Sequence, residues 1–216
     1  MSGYDVVLFD LDGTLTDSKI GITKSVQYAL SKFNIREDNP DNLESFIGPP
    51  LSESFQKHYG FEPSQAQDAV DFYREYFSTS GMYENAVYPG IPDLLADLKS
   101  KGKELIVATS KPTVFANQIL NIFNLYQYFT TVVGSHLDGT RTSKIEIIAH
   151  ALSALEYSTK NRVVMVGDRE HDVIGARGNA VDSIAVTYGY GSLSELQRAN
   201  PTHLAHAVEE IGALTG

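Results

Sequence analysis

The run Val6-Val7-Leu8-Phe9-Asp10-Leu11-Asp12-Gly13-Thr14-Leu15 decides how the rest of the chain reads. Four apolar residues stop abruptly at two acids spaced i, i+2, followed by Gly and Thr. A short unbroken apolar run predicts a strand buried on both faces, as in a parallel sheet. Asp10 then stands at the carboxyl end of that strand, where open α/β sheets take their ligands. Residues two apart in extended chain point the same way, so Asp10 and Asp12 can address one object. Gly13 permits a sharp turn and a close approach of backbone amides. Two carboxylates in this place suit a nucleophile held beside a hard cation, with the second acid handling a proton. A plain strand-to-turn junction also uses Asp and Gly, so the other strand ends have to arbitrate.

Composition narrows the setting. The chain has 216 residues, enough for a substantial core or for a domain carrying a smaller insert. Its net charge of -10 argues against nonspecific binding to nucleic acid or to an anionic membrane. The same charge disfavours an anionic substrate unless a cation or local lysines reverse the field. There are no cysteines, which excludes disulfides, thiolate metal sites and a cysteine nucleophile. No apolar run approaches the roughly 20 residues of a membrane helix. The N-terminus enters the first strand within a few residues and offers no cleavable signal. The cytoplasm is the expected location.

After the first loop, Asp17-Ser18 precedes a helical spacing of Ile22, Val26, Ala29, Leu30 and Phe33. Leu51, Phe55 and Tyr59 make a second helical face closed by Gly60, and Pro63-Ser64 opens a longer helix. Residues 17–85 thus read as helices without a buried strand, too long for one crossover and better taken as a small helical domain. Beyond Tyr88-Pro89-Gly90, strands and helices alternate: a helix to Gly102, a strand 104–108, a helix 114–123, a strand 131–133, a helix 143–155. A strand 162–166, a helix from about Asp172 to Ala180, a strand 183–186 and a short α/β tail follow. The pattern predicts a doubly wound α/β core, residues 1–16 and 86–216, with a helical domain inserted at 17–85.

Three further strand ends carry polar groups. In Ala108-Thr109-Ser110-Lys111-Pro112, a hydroxyl and exposed amides suit a phosphate oxygen, or else Thr109 or Ser110 caps the next helix. Lys144 falls at a helix start, where an ammonium opposes the macrodipole and belongs in solvent unless an anion offsets the cost. Val163 to Val166 repeats the opening pattern and ends at Gly167-Asp168, with Asp172 four residues on. His171 sits among these acids as a single histidine without partners and is left out of the chemistry, and His203 and His206 form no metal-site pattern and are expected on the surface.

In this order, D-x-D-G-T, Thr/Ser, Lys and G-D-x-x-x-D resemble the haloacid dehalogenase superfamily of phosphatases over the whole chain. The resemblance implies Asp10 as nucleophile forming an aspartyl-phosphate. It implies Asp12 as acid and then base, with its backbone carbonyl on the metal. Thr109 and the Ser110 amide would hold phosphoryl oxygens, and Lys144 would pair with Asp10 and the phosphate. Magnesium would be ligated by Asp10, Asp12 and Asp168, with Asp172 direct or through water, and Gly13 and Thr14 would belong to the phosphate loop. The helical insert resembles that superfamily's cap, and Ile47-Gly48-Pro49-Pro50 resembles a cap loop of phosphoglycolate phosphatase-like and nucleotidase-like members, so Gly48 and Lys111 are candidates for touching substrate. Tyr73, Tyr76 and Phe77 sit at helical spacing and are expected in the core of that insert.

The dehalogenating members lack the second acid, so Asp12 argues for phosphoryl transfer. The expected activity is magnesium-dependent hydrolysis of a small phosphate monoester (phosphoglycolate, a sugar phosphate or a nucleoside monophosphate), by a monomer or homodimer. A phosphomutase resembling β-phosphoglucomutase would use the same four motifs. A non-enzymatic phosphoacceptor resembling response-regulator receivers would place its aspartate on a later strand and lack the insert.

Overall fold

A computed structural model of the chain describes residues 3–155 and 162–216. Residues 1–2 and 156–161 of the expected core domain lie outside the described residues. The chain divides into two compact units, one formed by Met1–Asp17 with Val87–Gly216 and the other by Ser18–Ala86.

The first unit is built on six parallel strands: β1 (Val6–Phe9), β4 (Glu104–Pro112), β5 (Thr131–Ser135), β6 (Val163–Gly167), β7 (Asp182–Val186) and β8 (His203–Ala205). The short strands β2 (Thr16–Asp17) and β3 (Ala86–Val87) mark the two chain crossings between units. The sheet order is β5-β4-β1-β6-β7-β8. All four residues of β1 are buried, as their unbroken apolar run requires. Chain progression runs outward from β1 in both directions, and that reversal opens a crevice at the carboxyl ends of the strands beside it. Register aligns the exits: Phe9 lies opposite Val107 of β4 and Val166 of β6. The residues that follow on all three strands therefore emerge at one edge.

Helices α4 (Ile91–Ser100), α5 (Thr113–Ile122), α6 (Lys144–Ser153), α7 (Glu170–Gly178), α8 (Leu193–Ala199) and α9 (Val208–Thr215) complete this unit. On one face, Val6, Leu8, Ile106 and Met165 of the sheet pack with Ile147, Ile148, Ala151 and Ala176 from α6 and α7. Of the boundaries that differ from the sequence expectation, two bear on the strand ends of interest. Strand β4 does not stop at Ala108 but runs to Pro112, which pairs with Ser135 after a shift of register. Pro112, and neither Thr109 nor Ser110, then occupies the N-cap of α5. Helix α7 begins at Glu170, two residues before the expected start, because the Asp172 carboxylate reaches back to accept from the Arg169 N–H at 3.0 Å.

The second unit contains α1 (Lys19–Ser31), α2 (Leu51–Tyr59) and α3 (Pro63–Thr79), with 3-10 turns at Pro40–Phe46 and Gly81–Tyr83. Ile22, Val26, Ala29 and Leu30 of α1 are buried, as are Ala66, Ala69, Val70, Tyr73 and Phe77 of α3. Tyr76 is half-buried, and its hydroxyl donates to Glu84 at 3.3 Å. Gly60 ends α2 with a left-handed φ of 66°. No helix among the described residues is long and apolar enough to cross a membrane.

Candidate active site

Strand β1 delivers Asp10 to the sheet edge, where its N–H still bonds to Val166 O at 2.9 Å. The side chain turns onto Lys144, the first residue of α6. Lys144 Nζ lies 2.8 Å from Asp10 Oδ1, 2.7 Å from Asp172 Oδ1 and 2.9 Å from Ala108 O. The ammonium donates a hydrogen bond to Ala108 O and stands at ion-pair distance from the two carboxylates. Asp10 Oδ1 also accepts from the Leu11 N–H at 2.8 Å. A lone lysine in a first helical turn is ordinarily solvated, but Lys144 is only 6% exposed. Burial lowers its proton affinity, yet Asp10 and Asp172 outweigh that and hold the ammonium above the usual lysine range.

Asp168 follows the last residue of β6 and is fully buried. Its Oδ2 accepts from the Tyr190 N–H at 2.8 Å, and Thr14 Oγ1 donates to Oδ1 at 3.4 Å. Burial, then the Asp172 and Asp10 carboxylates, push Asp168 well above the ordinary aspartate range. Asp172 is raised as well, chiefly by burial, with Lys144 opposing the shift. One carboxylate oxygen from each of Asp10, Asp168 and Asp172 lies within 4.8 Å of the others. Were all three ionised, one ammonium would leave a buried charge of two uncompensated, which a divalent cation with oxygen ligands would neutralise. The donor set therefore fits a hard dication.

Asp12 stands apart from that group. Its Oδ2 lies 2.9 Å from Lys111 Nζ, with both side chains nearly buried, while Oδ1 is buried with no hydrogen-bond partner. Thr109 is buried within β4, two residues past its last pairing with β1, and its Oγ1 accepts from the Lys111 N–H at 3.3 Å. Ser110 is half-buried, and its carbonyl accepts from Ser135 Oγ at 2.8 Å. Gly13 takes a φ of 82°, and a Cβ there would meet Asp168 Oδ2 at 2.2 Å, so the residue has to be glycine. The sheet edge thus gathers Asp10, Asp12, Gly13, Thr14, Thr109, Ser110, Lys111, Lys144, Asp168 and Asp172. Gly48 belongs to the helical unit, in the loop before α2, with a φ of 106°. His171 and His206 are exposed and His203 half-buried; none contributes to the three-carboxylate group.

A supporting loop escaped the sequence reading. After β7, Thr187-Tyr188-Gly189-Tyr190-Gly191 folds against Asp168 and the D-G-T turn. Tyr188 donates its hydroxyl to Thr14 O at 2.9 Å, and the Tyr190 hydroxyl donates to Asp17 Oδ1 at 2.7 Å. Gly189 approaches so closely that a Cβ would meet Gly13 O at 2.3 Å and Asp168 Cβ at 2.4 Å. The alternation of Gly with Tyr directly after an apolar strand was the available signal.

A parallel sheet with its acids, hydroxyl and lysine at the carboxyl edge beside the point of strand reversal defines a ligand-binding class of α/β enzyme folds. Residues 7–186 match the model of the haloacid dehalogenase-like hydrolase family, and the chain belongs to that family. It is 50% identical over 200 residues to a 5'-nucleotidase of Pseudomonas aeruginosa, covering 93% of this chain and 90% of that protein. It is 40% identical to the tyrosine-protein kinase PtkA of Mycobacterium tuberculosis, covering 98% of this chain and 72% of that one. A crystal structure described as a predicted phosphatase from Clostridium acetobutylicum superposes with a TM-score of 0.94 at 50% identity, covering 98% of each chain.

Proposed function

We propose that the protein is a magnesium-dependent phosphatase that hydrolyses a small phosphate monoester through an aspartyl-phosphate, using the helical unit as a cap that selects the substrate. The observation that carries this reading is the convergence of Asp10, Thr109, Lys144, Asp168 and Asp172 at one sheet edge, with three buried carboxyl groups around one ammonium. Asp10 is the nucleophile: its carboxylate attacks phosphorus as the bond to the ester oxygen breaks. Asp12 gives the departing alkoxide its proton and later takes one from the water that frees Asp10. Thr109 Oγ1 and the Ser110 N–H hold phosphoryl oxygens, and Lys144 keeps Asp10 oriented while opposing the anion's charge. Gly13 and Thr14 complete the surrounding loop. Magnesium, held by Asp10, Asp168, the Asp12 backbone carbonyl and Asp172 directly or through water, would neutralise charge on the phosphoryl group.

A protein of net charge -10 needs this local reversal of field to take an anion at all. The 5'-nucleotidase relative makes nucleoside monophosphates the first substrates to try, followed by phosphoglycolate and sugar phosphates, in a cytoplasmic setting. The test is a panel of these esters assayed for phosphate release with magnesium and with chelator. The expected result is release from at least one ester that stops on chelation and returns with magnesium. Turnover indifferent to chelation removes the metal from the reading, and inertness toward every ester overturns it. A mutase would instead consume a sugar phosphate without net phosphate release.

A further inference from the structure

We propose that Lys111 is a positioning residue for proton transfer: by pinning one oxygen of Asp12 it leaves the other as the oxygen that gives and takes the proton. This rests on the phosphatase reading above. Lys111 Nζ sits 2.9 Å from Asp12 Oδ2, with side chains only 6% and 10% exposed. Two charges removed from water this far are tolerable only when paired. Asp12 Oδ1, also buried, has no hydrogen-bond partner. The carboxylate is thus anchored through one oxygen and uncommitted at the other.

The anchor is itself well fixed. Lys111 lies in the last stretch of β4, where its N–H donates to Thr109 Oγ1 at 3.3 Å. Its carbonyl packs so closely on Gly134 of β5 that a Cβ there would meet it at 2.3 Å. The nucleophile and the acid are therefore held by different cations, Asp10 by Lys144 and Asp12 by Lys111. In the first half-reaction the phosphorus–oxygen bond of the ester breaks, and the proton on Asp12 Oδ1 passes to the leaving alkoxide. The resulting carboxylate stays paired with Lys111. In the second, water attacks phosphorus, its proton goes to Oδ1, and the bond to Asp10 breaks. Lys111 acts on the proton transfer through Asp12.

The leaving group separates positioning from a merely structural role, because p-nitrophenolate departs without a proton and an alkoxide does not. Steady-state kinetics on p-nitrophenyl phosphate and glycerol phosphate, with magnesium, compare wild type, Lys111→Met and Lys111→Arg. General acid catalysis is worth about 10²–10⁴-fold. Lys111→Met should therefore lose on the order of tenfold more kcat/KM on the alkyl ester than on the aryl ester, because that ratio ends at the aspartyl-phosphate and leaves out the water step both esters share, and kcat on the alkyl ester should fall as well. Lys111→Arg should recover part of that gap. If Lys111→Met does not fold, Asp12→Asn alone is compared with Asp12→Asn/Lys111→Met, which has no stranded carboxylate. The two should then agree within about twofold on both esters, as expected of residues acting through one another. Equal losses of kcat/KM on the two esters, an effect confined to KM, or a further alkyl-specific loss in the double variant would overturn the inference while leaving the phosphatase reading intact. A wild type inert toward both esters would overturn that reading and the inference with it.

Discussion

Asp10, Asp12, Lys103, Lys111, Lys144, Asp168 and Asp172 are all buried in the α/β unit, whereas the buried polar residues of the helical unit are Ser18, Thr23, Ser25 and Ser54. Two of those hydroxyls simply bond back to their own helix, Thr23 to Lys19 O at 2.7 Å and Ser25 to Gly21 O at 2.6 Å. Charged side chains of the helical unit pair near solvent instead, as Lys24 does with Glu84 and Arg36 with Asp38. Its interior is aromatic: Phe55 lies 5.0 Å from Phe46 and 5.9 Å from Phe61, ring centre to ring centre. One unit has accepted the desolvation of ions, which is weak support for stability and strong support for chemistry. The other has buried carbon, which supports stability and commits to no reaction. Substitutions in the two units should therefore fail in different assays.

The largest contrast is expected from Asp10→Asn. If Asp10 is the nucleophile, as proposed above, phosphate release from any accepted ester should fall by about 10⁴-fold or more. The amide is isosteric and can still accept from Lys144, which also retains Asp172 and Ala108 O. Thermal unfolding should consequently shift by no more than a few degrees. Phosphate release at the wild-type rate, or loss of activity accompanied by unfolding, would erase the distinction between the units.

The mirror case is Phe55→Ala. The side chain is fully buried among Phe46 and Phe61, so truncation removes transfer free energy and leaves a cavity. A cost of about 3–5 kcal/mol is expected, read as a lower midpoint in urea unfolding. A cost below ~1 kcal/mol would show that the aromatic interior is not what holds the helical unit together.

How much of this was legible beforehand depended on how far apart the partners lie in sequence. Asp10 and Asp12 announce themselves locally, because an apolar run stops at two acids. Asp168 does so for the same reason. Lys144 is different: its own surroundings argue for solvent, and only the ordered resemblance of four motifs placed it beside an anion. What brings it indoors is Asp10 from one strand and Asp172 from the next helix, neither adjacent to it in sequence. The Lys111–Asp12 pair spans two strands, so Lys111 could be read only as a possible substrate contact. The Tyr188–Gly191 loop went unread because its function is to support Asp168 and Thr14, and no residue in it is chemically conspicuous. The end of β4 differs from the expectation because Pro112 reads as a helix start, while its pairing depends on Ser135 of a later strand.

The smallest expected effect sharpens the comparison from the stability side. Burial and its carboxylate neighbours raise Asp168 well above the ordinary range, so the folded chain holds that proton more tightly than the unfolded chain does. The sign follows: below the unfolded value, about 4, Asp168 imposes no penalty, and as pH rises through its elevated folded value the penalty grows to its full size. Asp168→Asn removes the titration while keeping its amide oxygen as acceptor for the Tyr190 N–H and turning its amide NH2 to the Thr14 hydroxyl, which can accept instead of donate. In chelator at pH 8 the variant should melt higher than wild type, with the difference shrinking toward pH 4. Magnesium should then stabilise wild type, by binding only the folded state, more than it stabilises the variant. A variant that melts lower than wild type across the whole range in chelator would mean that these buried charges contribute to holding the α/β unit together, and the two units would no longer differ in kind.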